Sequence, residues 1–325
     1  MKKFYLSLMV LVACTMRINA QESQMATLTH GTTTTSFYGK NAFVEAYQAA
    51  EHGDVITLTG GIFAPTNIEK AITVRGNGAE NNELNGTLKT TLQTPYLYVN
   101  IPEGTTYSPK LEGLYLDCNV VYLVGNKASD QATLVKIIAR SSVTVQKCSP
   151  RIIQCLIPSI AINVSPGTIY CTNCLLERTD YGPMELSHCT IYSLPGANNS
   201  IFKNCIIVST QQISSSSNAS YCLGMPGEST DDGFNLFANC RAADCTMLTG
   251  DAQWGVFKDG GTGSQCNYEL SETAKTTYLG DDGTQVGAYG GGTPFDLTPT
   301  NPRIKRFSVV TTNNNNKLNV KLNVE

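Results

Sequence analysis

The chain has 325 residues, 41% hydrophobic and only 15% charged, with 12 cysteines and a net charge of −3. That is ample apolar material for a large core and the wrong composition for a disordered chain. Residues 1–20 hold Lys2, Lys3 and Arg17 and no acid, so without them the net charge is −6, and residues 111–210 carry seven bases against six acids. A nearly neutral middle offers no positive field for a nucleic acid or a polyuronate.

In chain order, Lys2-Lys3 and the apolar run 4–13 read as an export signal, too short to span a bilayer. Two processing readings stay open. Ile18-Asn19-Ala20 before Gln21 suits ordinary signal peptidase and makes residues 1–20 a signal peptide, whereas Leu11-Val12-Ala13-Cys14 matches a lipobox that would lipidate Cys14 and anchor the chain. Either outcome is an exported protein, secreted or held at an outer membrane or cell surface. No later segment is apolar enough for a transmembrane span.

From Asn41 to Glu51, Ala42, Phe43, Ala46, Tyr47 and Ala50 form one helical face, with Gly53 as a stop. Residues 54–59 then read as a strand ended by Gly60-Gly61, and 71–74 as another ended by Gly76-Asn77-Gly78. Through the middle, six cysteines each follow a polar residue: Asp117-Cys118, Gln154-Cys155, Asn173-Cys174, His188-Cys189, Asn204-Cys205 and Asn239-Cys240. The intervals are 37, 19, 15, 16 and 35 residues, so the unit is 15–19 residues and the two long gaps hold two units each. Apolar residues stand two places after the first five cysteines (Val120, Ile157, Leu176, Ile191, Ile207) and, Cys171 among them, three places before (Tyr115, Ile152, Leu186, Phe202).

A unit this short cannot close a core alone, so units must stack. Side chains alternate along a strand, which puts the cysteine and its +2 neighbour inward. The polar residue before it suits a sharp left-handed corner. The pattern predicts an all-β fold: a single-stranded right-handed parallel β-helix (solenoid) over residues 21–295, with the helix near residue 41 capping its open end. Most cysteines are expected as buried thiols, Cys171 and Cys174 being positions −3 and 0 of one unit. Cys240 and Cys245 are the pair closest to a disulfide.

The outward +1 and +3 positions include Leu156, Leu175, Ile206, Val121 and Val208, an apolar stripe. A covering loop of the same chain is the expected partner, with Gly125–Arg140 or Ser209–Gly233 as the segment. Beyond the repeat, residues 296–325 read as a tail in which Leu318, Val320, Leu322 and Val324 alternate with polar residues, a C-terminal β-hairpin serving as a lid or as a surface-retention signal.

The runs His52-Gly-Asp-Val-Ile-Thr-Leu58, Gly61-Ile-Phe63 and Ile72-Thr-Val-Arg-Gly-Asn-Gly78 resemble the start of pectate-lyase-like β-helix proteins. The tail Asp282-Gly-Thr-Gln-Val-Gly-Ala-Tyr-Gly-Gly291 with Pro299-Thr-Asn-Pro302 is similar to endings of exported β-helix proteins from Gram-negative gut bacteria. The resemblance implies the fold and leaves the activity open, since that superfamily holds lyases, hydrolases, esterases and adhesins.

Polygalacturonase-like hydrolases would need N-T-D, D-D, G-H-G and R-I-K segments. This chain has Asp231-Asp232 and Arg303-Ile304-Lys305, but its histidines (His30, His52, His188) lie in other contexts. A calcium-assisted lyase would need carboxylates on consecutive outward rows, and Glu177 alone stands there. Glu177, Arg178 and Asp180 are therefore the weak catalytic candidates, and Tyr181 and Tyr192 the weak ligand-binding ones. His188 reads as a corner residue. Asp281-Asp282-Gly283 has a calcium-like composition without further spaced ligands, so no metal or cofactor is expected and calcium is the sole alternative. The functional expectation is a non-catalytic exported β-helix that contacts a polysaccharide or cell-surface glycan. The alternatives are a polysaccharide lyase or glycoside hydrolase with a non-standard site and a structural adhesin-like protein.

Overall fold

The computed structural model describes residues 24–299, 304–311 and 318–324, apart from 82–86, 164–166, 180–181, 195–196, 228–232, 254 and 259–267. The chain is a parallel β-helix of about nine turns. One wall is a 12-stranded sheet in which ten strands, from Val55–Leu58 to Arg241–Ala243, stack in parallel. A second, 13-stranded sheet runs from Gly61–Phe63 to Thr246–Met247. On a third side, Tyr96–Asn100, Val120–Val124 and Ser142–Gln146 pair in parallel and merge into the second sheet through Leu156–Ile162. This bears out the β-helix in the resemblance.

Register explains the core. Ile152, Cys171, Leu186 and Phe202 pair in sequence across the first sheet, and Ile157, Leu176, Ile191 and Ile207 across the second. All eight are at most 2% exposed. Stacking identical inward positions buries a continuous apolar interior, the dominant stabilising term for a solenoid.

Between the two sheets eight turns make a left-handed corner at one residue: Gly113, Lys136, Gln154, Asn173, His188, Asn204, Tyr221 or Asp244, with φ between 48° and 63°. The corner N–H is satisfied by the next turn, as in Gln154 N–H to Thr172 O at 2.9 Å and Asn173 N–H to Ser187 O at 3.1 Å. The residue after the corner points inward, and in six consecutive turns it is Cys155, Cys174, Cys189, Cys205, Cys222 and Cys245. Their thiols donate to the carbonyl two residues back, for example Cys174 Sγ to Thr172 O at 3.3 Å and Cys205 Sγ to Lys203 O at 3.2 Å. All ten described cysteines are free thiols, Cys240 and Cys245 included.

The two ends of the expected register need correction. Asp117-Cys118 is not a corner: Asp117 ends the strand Tyr115–Asp117, and Cys118 Sγ donates to Leu92 O elsewhere in the core. The corners there are Gly113-Leu114 and Lys136-Ile137. Asn239-Cys240 lies beside the column, whose last two members are Cys222 and Cys245. Val121 is also inward, at 1% exposure.

The helix Ala42–Ala49 buries Ala42, Phe43, Ala46 and Tyr47. Lys70 Nζ donates to the carbonyls of Tyr47, Gln48 and Ala50 at 2.7–3.1 Å, closing the helix where its dipole is negative. Sequence reading missed the antiparallel pair Met25–His30 and Thr33–Tyr38, which shields the first edge by pairing onto Val55–Leu58. Ile304–Thr311 and Leu318–Val324 form the expected antiparallel hairpin. Cys14, the signal segment and Trp254 lie outside the described residues.

Candidate functional site

Side chains of the corner row project outward, and five of them hold one segment of the chain, residues 280–298, laid across the turns as a strap. Asn204 Nδ2 donates to Asp281 at 2.8 Å, and Lys203 Nζ pairs with the same carboxylate at 2.6 Å. His188 Nε2 faces Asp282 Oδ2 at 3.2 Å, while Gly290 and Gly291 lie so close to its ring that a Cβ at either would come within 3.2 Å. Asn173 Nδ2 donates to Ala288 O at 2.9 Å and Gly290 O at 2.7 Å. Gln154 bonds the carbonyls of Thr293 and Pro294, and Lys136 Nζ those of Thr298 and, at 3.3 Å, the Asp296 carboxylate. The polar ladder is thus a docking rail.

The electrostatics follow from burial. Desolvation lowers the His188 pKa, and the nearby Asp282 offsets only part of that. Asp282 and Asp296 are held below the usual carboxylate range: burial opposes this, but the Thr284 and Thr298 donors and the cations outweigh it. Burial also pushes the Cys118 and Cys148 thiols up to about 11. In the column, burial and the neighbouring sulfurs push Cys155, Cys189 and Cys222 well up, which keeps these three as neutral thiols.

The strap and the segment before it close over the outer face of the second sheet. Leu175, Ile206, Val208 and Leu223 pack there against Val256, Phe257, Leu270, Val286 and Ala288 as a second hydrophobic cluster. The expected self-covering of the stripe is therefore correct, but the cover is not Gly125–Arg140, which contains two strands and a corner, nor Ser209–Gly233, which contains two more. Where the strap leaves the sheet, a cleft of about 430 Å³ opens, walled by Leu156, Leu175, Tyr289 and Phe295 and carrying Glu80, Glu177 and Asp296.

Glu177 is thus brought to a cleft with two carboxylates from distant segments. Arg178 is exposed on the same strand, paired in register with Ser159 and Ser193. Tyr192 packs on Tyr268 with ring centroids 5.8 Å apart, a role in the covering cluster rather than an open sugar platform. Asp180, Tyr181 and Asp231-Asp232 lie outside the described residues, as does Arg303, while Ile304 and Lys305 are in the hairpin. Among the described residues no group of three metal-ligating side chains gathers, and no helix is long and apolar enough to cross a membrane.

An aromatic surface on the third side was missed. Tyr96 and Tyr98 alternate outward on one strand and Tyr122 on the next, in register with Tyr98. Tyr98 and Tyr122 stack with centroids 4.6 Å apart and planes 9° from parallel, and Tyr96 reaches Tyr122 at 6.4 Å. Tyr96 is 52% and Tyr98 37% exposed. The period-two spacing in Tyr96-Leu-Tyr98-Val was the available signal. No family model, curated protein or solved structure matches the chain.

Proposed function

We propose that the protein is an exported, non-catalytic β-helix that contacts glycans at a cell surface through the tyrosine ladder of its third side. The observation that carries this reading is the run of exposed Tyr96 and Tyr98 on one strand and half-buried Tyr122 on the adjacent turn. Successive turns repeat at ~4.8 Å, comparable with one hexose; Tyr96, the most exposed ring of the three, suits the apolar C–H face of a pyranose, while the stacked Tyr98 and Tyr122 offer ring edges and phenolic hydroxyls. The export-like N-terminal run supports the cell-surface part of the reading. Screening the protein against neutral and acidic polysaccharides, with a reducing-end and unsaturated-product readout, tests the reading. Binding without turnover that is lost in Tyr98→Ala/Tyr122→Ala supports it. Binding indifferent to that double variant removes the platform, and turnover lost in Glu177→Gln makes the protein an enzyme.

Two other readings rest on specific observations. A purely structural adhesin-like protein is favoured by the strap, which covers the outer apolar stripe with the chain's own residues. Polysaccharide cleavage is favoured by the three carboxylates of the cleft. Against cleavage, Glu80 and Glu177 have no hydrogen-bond or ion-pair partner among the described residues to orient them, whereas acid–base chemistry depends on positioned groups.

A further inference from the structure

The cleft beside the strap has a composition that selects for charge. Its volume of about 430 Å³ lies within the range of small-molecule sites. Its walls are leucine and aromatic, with Tyr289 and Phe295 in edge contact at 5.6 Å. Among the described residues its charged lining is Glu80, Glu177 and Asp296, and no basic side chain lines it. Lys136, which pairs with the lining residue Asp296 at 3.3 Å, is also bonded to Thr298 O. A carboxylate ligand would meet repulsion there, and a neutral apolar one would leave the negative rim uncompensated.

We propose that this cleft binds a small cationic amphiphile: one ammonium group on an apolar or aromatic body of about two rings or fewer. The body lies against Leu156 and Leu175, and the ammonium sits between the edge-to-face pair of Tyr289 and Phe295 and the carboxylates of Glu80 and Glu177. Ring faces and carboxylates attract the same charge, and partial removal from water strengthens both. The strap sets specificity, because Tyr289, Phe295 and Asp296 all belong to it. The site is distinct from the tyrosine ladder, so the two proposals stand or fall separately.

Calorimetric titration of the full chain with phenethylammonium, 2-phenylethanol and 3-phenylpropionate compares one body carrying positive, neutral and negative heads. Phenethylammonium should bind saturably, the alcohol several-fold more weakly and the carboxylate not at all, with added salt weakening the ammonium. Glu80→Gln/Glu177→Gln should weaken ammonium binding about fivefold at unchanged melting temperature, and Glu185→Gln, on the outer face of the first sheet, should leave it unaltered. Equal affinity for the alcohol, an unaffected double variant, or no saturable heat with phenethylammonium each overturns the proposal.

Discussion

The two sheets are made by the same turns, yet their outer faces meet opposite surroundings. On the first sheet, successive turns present Arg151, Tyr170, Glu185 and Ile201 to water, with Ile201 43% exposed. On the second, the matching positions are Leu156, Leu175, Thr190, Ile206 and Leu223, and Ile206 is 1% exposed beneath the strap. Inward columns are decided within the repeat, because stacking alone buries them. Outward columns are decided by what the chain lays over them from residues 256–298.

The contrast is sharpest in two isoleucines on neighbouring walls of one turn. Ile206→Asp should destabilise by about 4 kcal/mol, because it leaves an unpaired charge in the covered cluster. Ile201→Asp should cost less than about 0.5 kcal/mol as a surface change. Urea denaturation of both variants checks this, and equal losses would remove the distinction between the faces.

The next effect is on the rail. Asn173→Ala removes two donors to strap carbonyls and places alanine at φ 51°, for an expected loss of about 2 kcal/mol. Asn173→Gly relieves the backbone and still loses the bonds, so a remaining defect in it isolates the strap. Faster proteolysis between residues 280 and 298 in both variants is the expected readout. Inside the wall, Cys174→Ser should cost about 1.5 kcal/mol for burying a hydroxyl where a thiol packs. An unchanged melting temperature would contradict its burial.

The smallest effect is that of pH on the strap. The folded His188 pKa is below its ordinary 6.5, so below that pH the unfolded chain takes the proton first and stability declines on acidification. Asp282, depressed below 3.8, adds a second loss as pH falls through the carboxylate range. His188→Asn, which tolerates the left-handed corner, should abolish the upper window and leave the lower one, with Asp281 and Lys203 still paired. A melting-temperature profile from pH 8 to 3 separates the two.

The repeating interior was legible because each turn states it again: polar corner, inward residue, apolar +2. Its ends were not. Leu114 and Ile137 occupy the inward place without a cysteine, while Asp117-Cys118 and Asn239-Cys240 imitate the corner without being one. The steps between true corners also stretch to 23 residues between Cys222 and Cys245, because loops on the third side differ in length. The strap was hidden for another reason. Its bonds run mostly from corner side chains to backbone carbonyls such as Ala288 O and Gly290 O, which carry no side-chain signature, across more than 100 residues of sequence. The cleft inherits that opacity, since Glu80, Glu177 and Asp296 line one cleft only once the strap is placed.

The column of six thiols has a consequence for how the molecule comes apart. A solenoid opens from its ends inward, each turn held by its neighbours. Cys245 sits in the last turn, where it is partly exposed, and Cys222 to Cys155 lie progressively deeper under complete burial. Modification by a thiol reagent should therefore proceed along the chain in spatial order, with Cys245 first and each deeper thiol waiting for one more turn to peel away. The wild-type protein thus carries its own internal ruler, graduated one turn at a time, against which mass spectrometry of labelled peptides can read how far the fold has frayed.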